Sequence, residues 1–400
     1  MHRCARSRRP RSVYAAVPRA PSSTAPAHER ETRRRAHAAR TEHDARLEEV
    51  NFDRSPYTIA WEVTRACAYS CLHCRADAQH RRDPEELDTA EAEQLIDDLA
   101  TFGTQPILVL TGGDPLMRRD LFELAARASE RGLRVSLTPT ATALPTVERM
   151  RSAREAGVLR VALSVDAADP ELHDHFRGFS GSYERTLQAI ANVHEAGLPL
   201  QINTTVCGLN FDRLDELVEQ LRRWDIVQWS VFFLVPTGRG QALPMCSATQ
   251  HEQVLGWLQE LTSRVPFDIK ATAAPQYRRI VAQRSSTPIA GAGYHFHDGL
   301  NRPAKGVNDG RGFMFISHRG EVMPSGFLPL SAGNVRDRSP VEIYRHHPLF
   351  RYLRYPAALK GKCGRCEYRD VCGGSRSRAY ALTGDPLAAD PSCPYVPGTG

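Results

Sequence analysis

The sequence predicts an α/β fold, a partial (β/α)6 TIM-like barrel followed by a C-terminal cysteine-rich domain. From about residue 56 to 265, strand-like and helix-like segments alternate, which is the pattern of βα units around a parallel sheet. The strand segments are mostly continuous apolar runs, as expected where helices cover both faces of a sheet. A doubly wound open sheet is the alternative. No Gly-x-Gly-x-x-Gly follows the first strand, which weakens a dinucleotide-binding version of that alternative.

Taken in order, six strands alternate with six helices. The strands are predicted at 57–64, 106–113, 134–140, 158–166, 200–206 and 227–236. The helices are predicted at 88–103, 120–132, 145–156, 182–196, 212–223 and 248–263. Asp88 with Glu91 resembles a capping box at the start of the first helix. Because chemistry in a barrel collects at the carboxyl ends of the strands, we expect the site there.

After about residue 265 the pattern changes. A strand-like segment at 266–272 is followed by a predicted hairpin at 312–326, with its turn near Arg319–Gly320. We therefore expect a second domain with little helix over 266–400 and a core barrel over 51–265.

An Arg-rich tail over 1–50 precedes the barrel, and we expect it to be disordered. Residues 1–40 hold 11 Arg, no Lys, 2 Glu and no Asp, so the rest of the chain is slightly acidic although the whole carries +6. A segment of this composition cannot bury much apolar surface. It could form a nucleic-acid arm, but we expect no nucleic-acid partner.

The composition also limits the location of the protein. Apolar runs such as 106–110 are far too short to cross a bilayer, and no signal-peptide pattern is present. Seven of the ten cysteines form two tight groups, which favours metal or cluster ligands over a disulfide framework. We expect a cytoplasmic protein with no membrane partner.

The first cysteine group, Cys67, Cys71 and Cys74, has the spacing C-x3-C-x2-C and directly follows the first strand. Three thiolates can hold three irons of a [4Fe–4S] cluster and leave the fourth iron open. A zinc site that recruits His73 as a fourth ligand is the alternative. The second strand ends in "TGGDP", residues 111–115, and glycines there suit a close backbone approach to a ligand; an ordinary turn is the other interpretation.

The cysteine spacing after the first strand, together with "TGGDP", resembles the radical S-adenosylmethionine (SAM) superfamily. The resemblance implies that the three cysteines bind three irons and that SAM chelates the fourth. Reductive cleavage of SAM would then give a 5′-deoxyadenosyl radical that abstracts hydrogen from a substrate. It places His73 near the adenine, and Gly112, Gly113 and Asp114 at a Gly-Gly-Glu-Pro position that contacts the SAM amino group through its backbone.

Further strand ends carry weaker candidates. "SVDA" (164–167) resembles a recurring Ser-x-Asp motif of the family, so Ser164 and Asp166 are candidate SAM contacts, although Asp166 could instead cap the next segment. Asn203 could reach the ribose or serve a structural turn. At the third strand end, "LTPT" departs from the family's usual Ser-Thr-Asn-Gly.

The second cysteine group is Cys363, Cys366, Cys372 and Cys393, spaced C-x2-C-x5-C-x20-C. Alone it could close a zinc site or a fully ligated cluster. It resembles the SPASM domain, which implies an auxiliary [4Fe–4S] cluster. Two-cluster members carry further cysteines where this chain has Ser325 and Ser375–Arg376, so we expect one auxiliary cluster. Basic residues crowd the segment: Lys360, Lys362, Arg365, Arg369, Arg376 and Arg378.

The sequence of the C-terminal segment 363–393 resembles that of the radical SAM enzymes of heme and d-type heme synthesis. This resemblance implies a tetrapyrrole side chain as substrate and an electron donor such as flavodoxin or ferredoxin. A peptide-modifying maturase is the second interpretation, and a non-catalytic zinc-binding protein is the third. His295, His297 and Asp298 could serve proton transfer or hold a tetrapyrrole, or form an ordinary polar loop. Cys207 is expected in the core, and Cys246 could be a hydrogen donor.

Overall fold

The computed structural model describes residues 51–284 and 306–398. The Arg-rich tail and the loop with His295, His297 and Asp298 lie outside these residues, so the predictions about them stay predictions. In the described ranges no helix is both long and apolar enough to cross a membrane.

All six predicted strands are present, five of them somewhat shorter than predicted and the fifth with the predicted bounds of 200–206, and three more join them. The nine strands are β1 (Thr58–Glu62), β2 (Ile107–Thr111), β3 (Arg134–Leu137), β4 (Arg160–Ser164), β5 (Leu200–Val206), β6 (Gln228–Phe233), β7 (Asp268–Thr272), β8 (Phe313–Ile316) and β9 (Val322–Met323). They form one sheet in the order β7-β6-β5-β4-β3-β2-β1-β8-β9. Every pairing is parallel except that of β8 with β9.

The six predicted helices are also confirmed. The helices are α1 (Thr89–Ala100), α2 (Leu121–Glu130), α3 (Val147–Glu155), α4 (Pro170–Arg177), α5 (Ser182–Glu195), α6 (Leu214–Arg223), α7 (Ala248–Leu261), α8 (Gln276–Arg284), α9 (Pro340–His346), α10 (Pro348–Arg354), α11 (Gly361–Arg365) and α12 (Arg376–Thr383). The capping box of Asp88 and Glu91 is present at the start of α1. Within residues 51–284 and 306–398, three short 3₁₀ helices cover Pro115–Met117, Gly238–Ala242 and Pro356–Ala358.

The expectation of little helix after residue 265 is wrong, because α8–α12 all lie there. Each has nine residues or fewer, too short for a clear 3.6-residue apolar period. The helix α4 was missed for the same reason. Its start signal is nevertheless visible in the sequence, since the side chain of Asp169 caps it and Pro170 occupies its first turn.

The sheet runs across the predicted domain boundary at residue 265. β7 pairs in parallel with β6, and β8 pairs in parallel with β1, so both edges of the barrel sheet come from the later part of the chain. The predicted hairpin is confirmed as β8–β9, with Gly320 at φ +85° in its turn. The division into a barrel and a second domain remains a prediction about how the chain folds in units.

The strand faces separate a packed side from an open side. Ile59 and Trp61 of β1 are fully buried in the apolar core under the helices. Polar residues such as Thr111, Ser164 and Asn203, at or near the strand ends, line an open cleft instead. The concave face of the sheet is therefore available for a site.

Candidate active site

One cleft of ≈ 1160 Å³, its open mouth included, lies at the carboxyl ends of the barrel strands. It brings together most of the residues singled out in the sequence. Those that line it are Cys67, Cys71, His73, Cys74, Gly112, Gly113, Ser164 and Asn203. Two others, Asp114 and Asp166, do not line it and are buried. Residues far apart in the chain thus meet at the edge where barrel chemistry is expected.

Cys67 is buried, Cys71 and Cys74 are half-buried, and a cation lies beside them. The backbone N–H of Tyr69 donates to Cys67 Sγ at 3.4 Å, and Arg177 Nη1 lies 3.9 Å from Cys71 Sγ. Burial raises the pKa of the Cys67 thiol to about 11. Because ligand thiols must be deprotonated, binding of iron here would release protons, and Arg177 favours the thiolate of Cys71.

Gly112 and Gly113 are required by the backbone of the cysteine loop. A Cβ on Gly112 would collide with Thr64 O. A Cβ on Gly113 would lie 2.7 Å from the carbonyl carbon of Ala66, and closer still to its oxygen. Gly113 N–H donates to Thr64 O at 2.9 Å. The predicted close approach is therefore present, but its partner is the chain itself, which locks the end of β2 to the loop that carries the cysteines.

Asp114 joins the ends of β2 and β3. Its carboxylate accepts hydrogen bonds from Leu116 N (3.1 Å), Thr140 N (3.3 Å) and Thr142 Oγ1 (3.1 Å). Burial raises the pKa of Asp114 to about 6. The side chain has a local structural role, so its predicted cofactor contact stays a prediction that rests on its backbone alone.

Asp166 is buried next to two residues that line the cleft, Arg177 and His73. Its carboxylate is 2.8 Å from Arg177 Nη2 and 3.8 Å from His73 Nε2, and it accepts from Thr205 N at 2.8 Å. Burial works to raise the pKa of Asp166, but Arg177 and His73 hold it below its usual value. Asp166 does not cap the next helix, since Asp169 does; its predicted contact with SAM stays a prediction.

His73 is a neutral side chain on the cleft wall. Burial lowers the pKa of its imidazole to about 4, so the ring is uncharged at neutral pH. Its Nδ1 has no hydrogen-bond partner among the described residues although it is buried. Buried polar atoms usually have a hydrogen-bond partner, either protein or ordered water, so this nitrogen is free to bind water or a ligand in the cleft.

Arg75, which follows the last cysteine of the loop, was missed in the sequence. Its Nη1 donates to Glu62 Oε2 at 2.9 Å, and its guanidinium stacks on Phe315 at 4.4 Å from the ring centroid. Glu62 is held in turn by His318 Nδ1 at 2.7 Å. The only signal for Arg75 was its position beside Cys74. Its partners come from β1 and β8, and no sequence spacing would have indicated them.

A second cavity of ≈ 330 Å³ lies in the C-terminal part of the chain and is called the tail site below. It is lined by the four tail cysteines, Cys363, Cys366, Cys372 and Cys393, together with Lys362 and Arg369. Asp390 N–H donates to Cys363 Sγ at 3.4 Å, and Gly374 N–H donates to Cys372 Sγ at 3.4 Å. Burial raises the pKa of the Cys372 thiol to about 12. All nine cysteines within residues 51–284 and 306–398 are free thiols.

Ser325 and Ser375 occupy the two positions at which a second auxiliary cluster would need further cysteines. Ser325 Oγ accepts from Phe327 N–H at 3.2 Å. Ser375 Oγ accepts from Arg378 N–H at 3.2 Å and so caps α12. Both hydroxyls bind the local backbone, and the number of auxiliary clusters stays a prediction.

Cys207 and Cys246 are both buried outside the two cysteine groups. Cys207 lies in a small apolar cluster with Phe176 and Leu234, as expected for a core residue. Cys246 belongs to the main core and is 8% exposed, which leaves no support for its interpretation as a hydrogen donor.

Comparisons with known proteins agree with this arrangement. The model of the radical SAM superfamily matches residues 61–221. The AdoMet-dependent heme synthase of Methanosarcina barkeri is 43% identical over 349 residues, which cover 87% of this chain and 99% of that protein. The PqqA peptide cyclase of Bradyrhizobium diazoefficiens is 26% identical over 353 residues, which cover 86% and 87%.

A solved structure shares the fold. Streptococcus suis SuiB bound to S-adenosylmethionine matches with a TM-score of 0.66 at 15% identity, over 86% of this chain and 78% of that one. This likeness confirms the predicted partial TIM-like barrel.

Proposed function

The chain belongs to the radical SAM superfamily and is a SAM-dependent enzyme of its heme-synthase-like branch, and we propose that it acts on a propionate side chain of a tetrapyrrole. A [4Fe–4S] cluster on Cys67, Cys71 and Cys74, with SAM on its fourth iron, would supply a 5′-deoxyadenosyl radical that abstracts hydrogen from that side chain. One observation carries the proposal: the three thiols share a single cleft with Ser164, Asn203 and His73.

Three residues of the wall are suited to hold SAM. Ser164 and Asn203 face each other in register on β4 and β5, so their polar ends can meet one ligand group from the same face of the sheet. Asn203 Oδ1 already accepts from Gln201 at 2.7 Å, which directs its NH₂ to other acceptors. The neutral ring of His73 can lie against an adenine, since it carries no charge to desolvate.

The other wall is suited to a flat, carboxylate-bearing substrate. Phe232, Phe327 and Val235 give an apolar surface for a macrocycle. Arg75 is fixed by Glu62 and Phe315, and its remaining N–H groups can bind a propionate carboxylate. The higher identity to the heme synthase than to the peptide cyclase supports this substrate class.

A peptide substrate is the second candidate, supported by the similarity to the PqqA peptide cyclase over 86% of the chain. The interpretation as a non-catalytic zinc-binding protein is set aside, because the chain belongs to a family of radical enzymes.

We also propose one auxiliary [4Fe–4S] cluster on Cys363, Cys366, Cys372 and Cys393. In the described ranges, no three His, Cys, Asp or Glu side chains converge on a position for a single metal ion. The four thiols nevertheless line one cavity. A cluster in which each thiolate has its own iron fits such a spread better than zinc does. The free thiols fit a reducing cytoplasm, where flavodoxin or ferredoxin would be the electron donor.

The test uses the full chain, purified without oxygen. We expect about eight irons per chain, from two [4Fe–4S] clusters, and 5′-deoxyadenosine when the protein is reduced with SAM. With an iron coproporphyrin, mass spectrometry should show the loss of CO2 and two hydrogens from a propionate. One hydrogen atom would go to the 5′-deoxyadenosyl radical, CO2 would leave as the carbon–carbon double bond forms, the carboxyl proton would go to solvent, and the remaining electron would pass to an iron–sulfur cluster or another one-electron acceptor. Cys67→Ala should remove four irons and abolish SAM cleavage, whereas Cys246→Ala, which alters only the core, should keep both. Turnover of a peptide but not of the porphyrin would overturn the substrate assignment.

A further inference from the structure

Arg376 is a buried cation at one thiol of the tail site. Its guanidinium is 2% exposed, and its Nη2 lies 3.8 Å from Cys363 Sγ. Its other donors bind three backbone carbonyls, Gly374 O at 3.1 Å, Pro386 O at 3.0 Å and Ala388 O at 2.7 Å. The guanidinium is therefore fixed by neutral groups against the sulfur.

No carboxylate of the described residues pairs with this guanidinium within 4 Å. The two carboxylates on neighbouring segments are bound elsewhere: Asp390 lies 3.3 Å from Arg378 Nη1, and Asp385 lies 2.6 Å from Lys360 Nζ. Asp385 also feels the charge of Arg376, but it is paired with Lys360, so the sulfur of Cys363 is the anionic ligand atom nearest to this guanidinium.

The barrel cysteines have a matching arginine whose charge is compensated. Arg177 Nη1 lies 3.9 Å from Cys71 Sγ, almost the same separation. However, Arg177 Nη2 is 2.8 Å from the fully buried carboxylate of Asp166. Each site therefore has a buried arginine next to one thiol, and that of the barrel site has a carboxylate within 4 Å whereas Arg376 does not. A second buried arginine, Arg279, lines the tail cavity, but its guanidinium is paired with Glu252.

The potential of an iron–sulfur cluster depends on net charge, on hydrogen bonds to its sulfurs and on solvent exposure. Reduction adds one negative charge, which a nearby buried cation stabilises, and weak screening in the interior strengthens the effect. We propose that Arg376 raises the reduction potential of the auxiliary cluster, an effect that Asp166 cancels for Arg177 at the barrel cysteines. This inference rests on the proposed cluster at the four tail cysteines.

The test measures the auxiliary cluster alone, in the full chain with Cys67, Cys71 and Cys74 all changed to Ala. Its iron content, about four per chain, first reports whether the tail cluster exists, which separates failure of the proposed function from failure of this inference. An EPR-monitored redox titration then compares Arg376→Gln, Arg376→Lys and Arg365→Gln. Arg365 is exposed and lies beside Cys366, so it is a control for charge removal at the surface.

We expect Arg376→Gln to shift the oxidised-to-reduced ratio at fixed potential at least tenfold toward the oxidised form, which is about 59 mV downward for one electron. Arg376→Lys should restore most of this shift, and Arg365→Gln should cause little. An unchanged or higher potential in Arg376→Gln would overturn the proposal, as would an equal shift in Arg365→Gln.

If Arg376→Gln fails to hold iron, the same charge rule is tested at the other cluster. The variant used for this has the four tail cysteines changed to Ala, so only the cluster on Cys67, Cys71 and Cys74 remains. Asp166→Asn removes the negative charge that neutralises Arg177 and should therefore raise the reduction potential of that cluster. An unchanged potential there contradicts the claim that a buried arginine sets the potential unless a carboxylate cancels it.

Discussion

The contact between Gly113 and the cysteine loop makes a sharp prediction for Gly113→Ala. The backbone of Gly113 does not adopt a positive φ, so an alanine there is not strained in itself and the effect is purely steric. The added Cβ would lie 2.7 Å from Ala66 C and from Arg65 O, about 1 Å inside ordinary van der Waals contact. All the nearest atoms are backbone, so a side-chain rotation cannot relieve the clash.

The magnitude follows from what must move. Overpacking of this kind costs about 1–3 kcal/mol in the free energy of unfolding, and relief requires the loop from Thr64 to Cys67 to shift. Since a misplacement of about 1 Å can lower a rate about a hundredfold, we expect 5′-deoxyadenosine formation to fall by about that factor. The assay is anaerobic turnover of SAM, with iron content measured in the same samples.

Gly103→Ala is the matched control. Gly103 has φ +76° with nothing within 4 Å of a Cβ, so alanine there costs about 1–2 kcal/mol in backbone strain but moves no part of the site. A Gly113→Ala enzyme with normal iron and normal turnover, or a Gly103→Ala enzyme equally inactive, would refute the reasoning.

Three further predictions concern charged groups. Arg75→Gln should raise the KM for the porphyrin about tenfold or more, since a hydrogen bond to a charged group contributes about 1.5–3 kcal/mol. Formation of 5′-deoxyadenosine without substrate should persist in this variant. An unchanged KM would exclude the contact between Arg75 and the substrate carboxylate. Arg378→Met should lower the free energy of unfolding by about 3–5 kcal/mol, because it leaves the fully buried carboxylate of Asp390 without a cation and Ala273 O without this hydrogen bond. The surface variant Arg369→Gln should change the free energy of unfolding, measured by urea without oxygen, very little. Equal effects of the two variants would contradict the claim that the buried pair contributes more. Burial opposes protonation of His318, but Glu62 and Asp83 outweigh this effect and raise its pKa in the folded state. Above the unfolded pKa of about 6.5, the folded protein therefore keeps a proton on His318 that the unfolded chain has lost. Stability should therefore fall as pH rises from there through the folded pKa; His318→Gln should flatten this slope in anaerobic thermal unfolding, and parallel slopes would count against it.

The parts of the fold that could be predicted are those with a local signal. Each of the six strands is an apolar run next to a helix with its own period, so neighbouring residues define it. The later strands β7 and β8 were predicted as strands, but which sheet they join depends on contacts with β6 and β1, which no local pattern reports. The short helices of the tail carry too few turns to show a period.

The candidate site divides in the same way. Cysteine spacing within a loop is local, and all seven predicted ligands line one of the two cavities. Asp114 and Asp166 also occupy the predicted strand ends, but which way a buried carboxylate faces depends on partners such as Arg177 and Thr142 that come from other elements. Sequence reasoning found the strand ends and could not find the direction of these side chains.

No sequence motif could have predicted the electrostatic difference between the two cysteine sites, because the charges that cause it are brought together only by the fold. Arg177 reaches Cys71 across 106 positions of the chain, and only the barrel brings Asp166 to the same guanidinium. Arg376 is 13 positions from Cys363, and the sequence places it among several other basic residues with nothing to distinguish it. The fold buries it without a carboxylate in salt-bridge contact, because Asp385 and Asp390 are paired with Lys360 and Arg378. The ligands of a cluster are thus encoded locally, whereas the charge that tunes it depends on which arginine the fold leaves without a carboxylate.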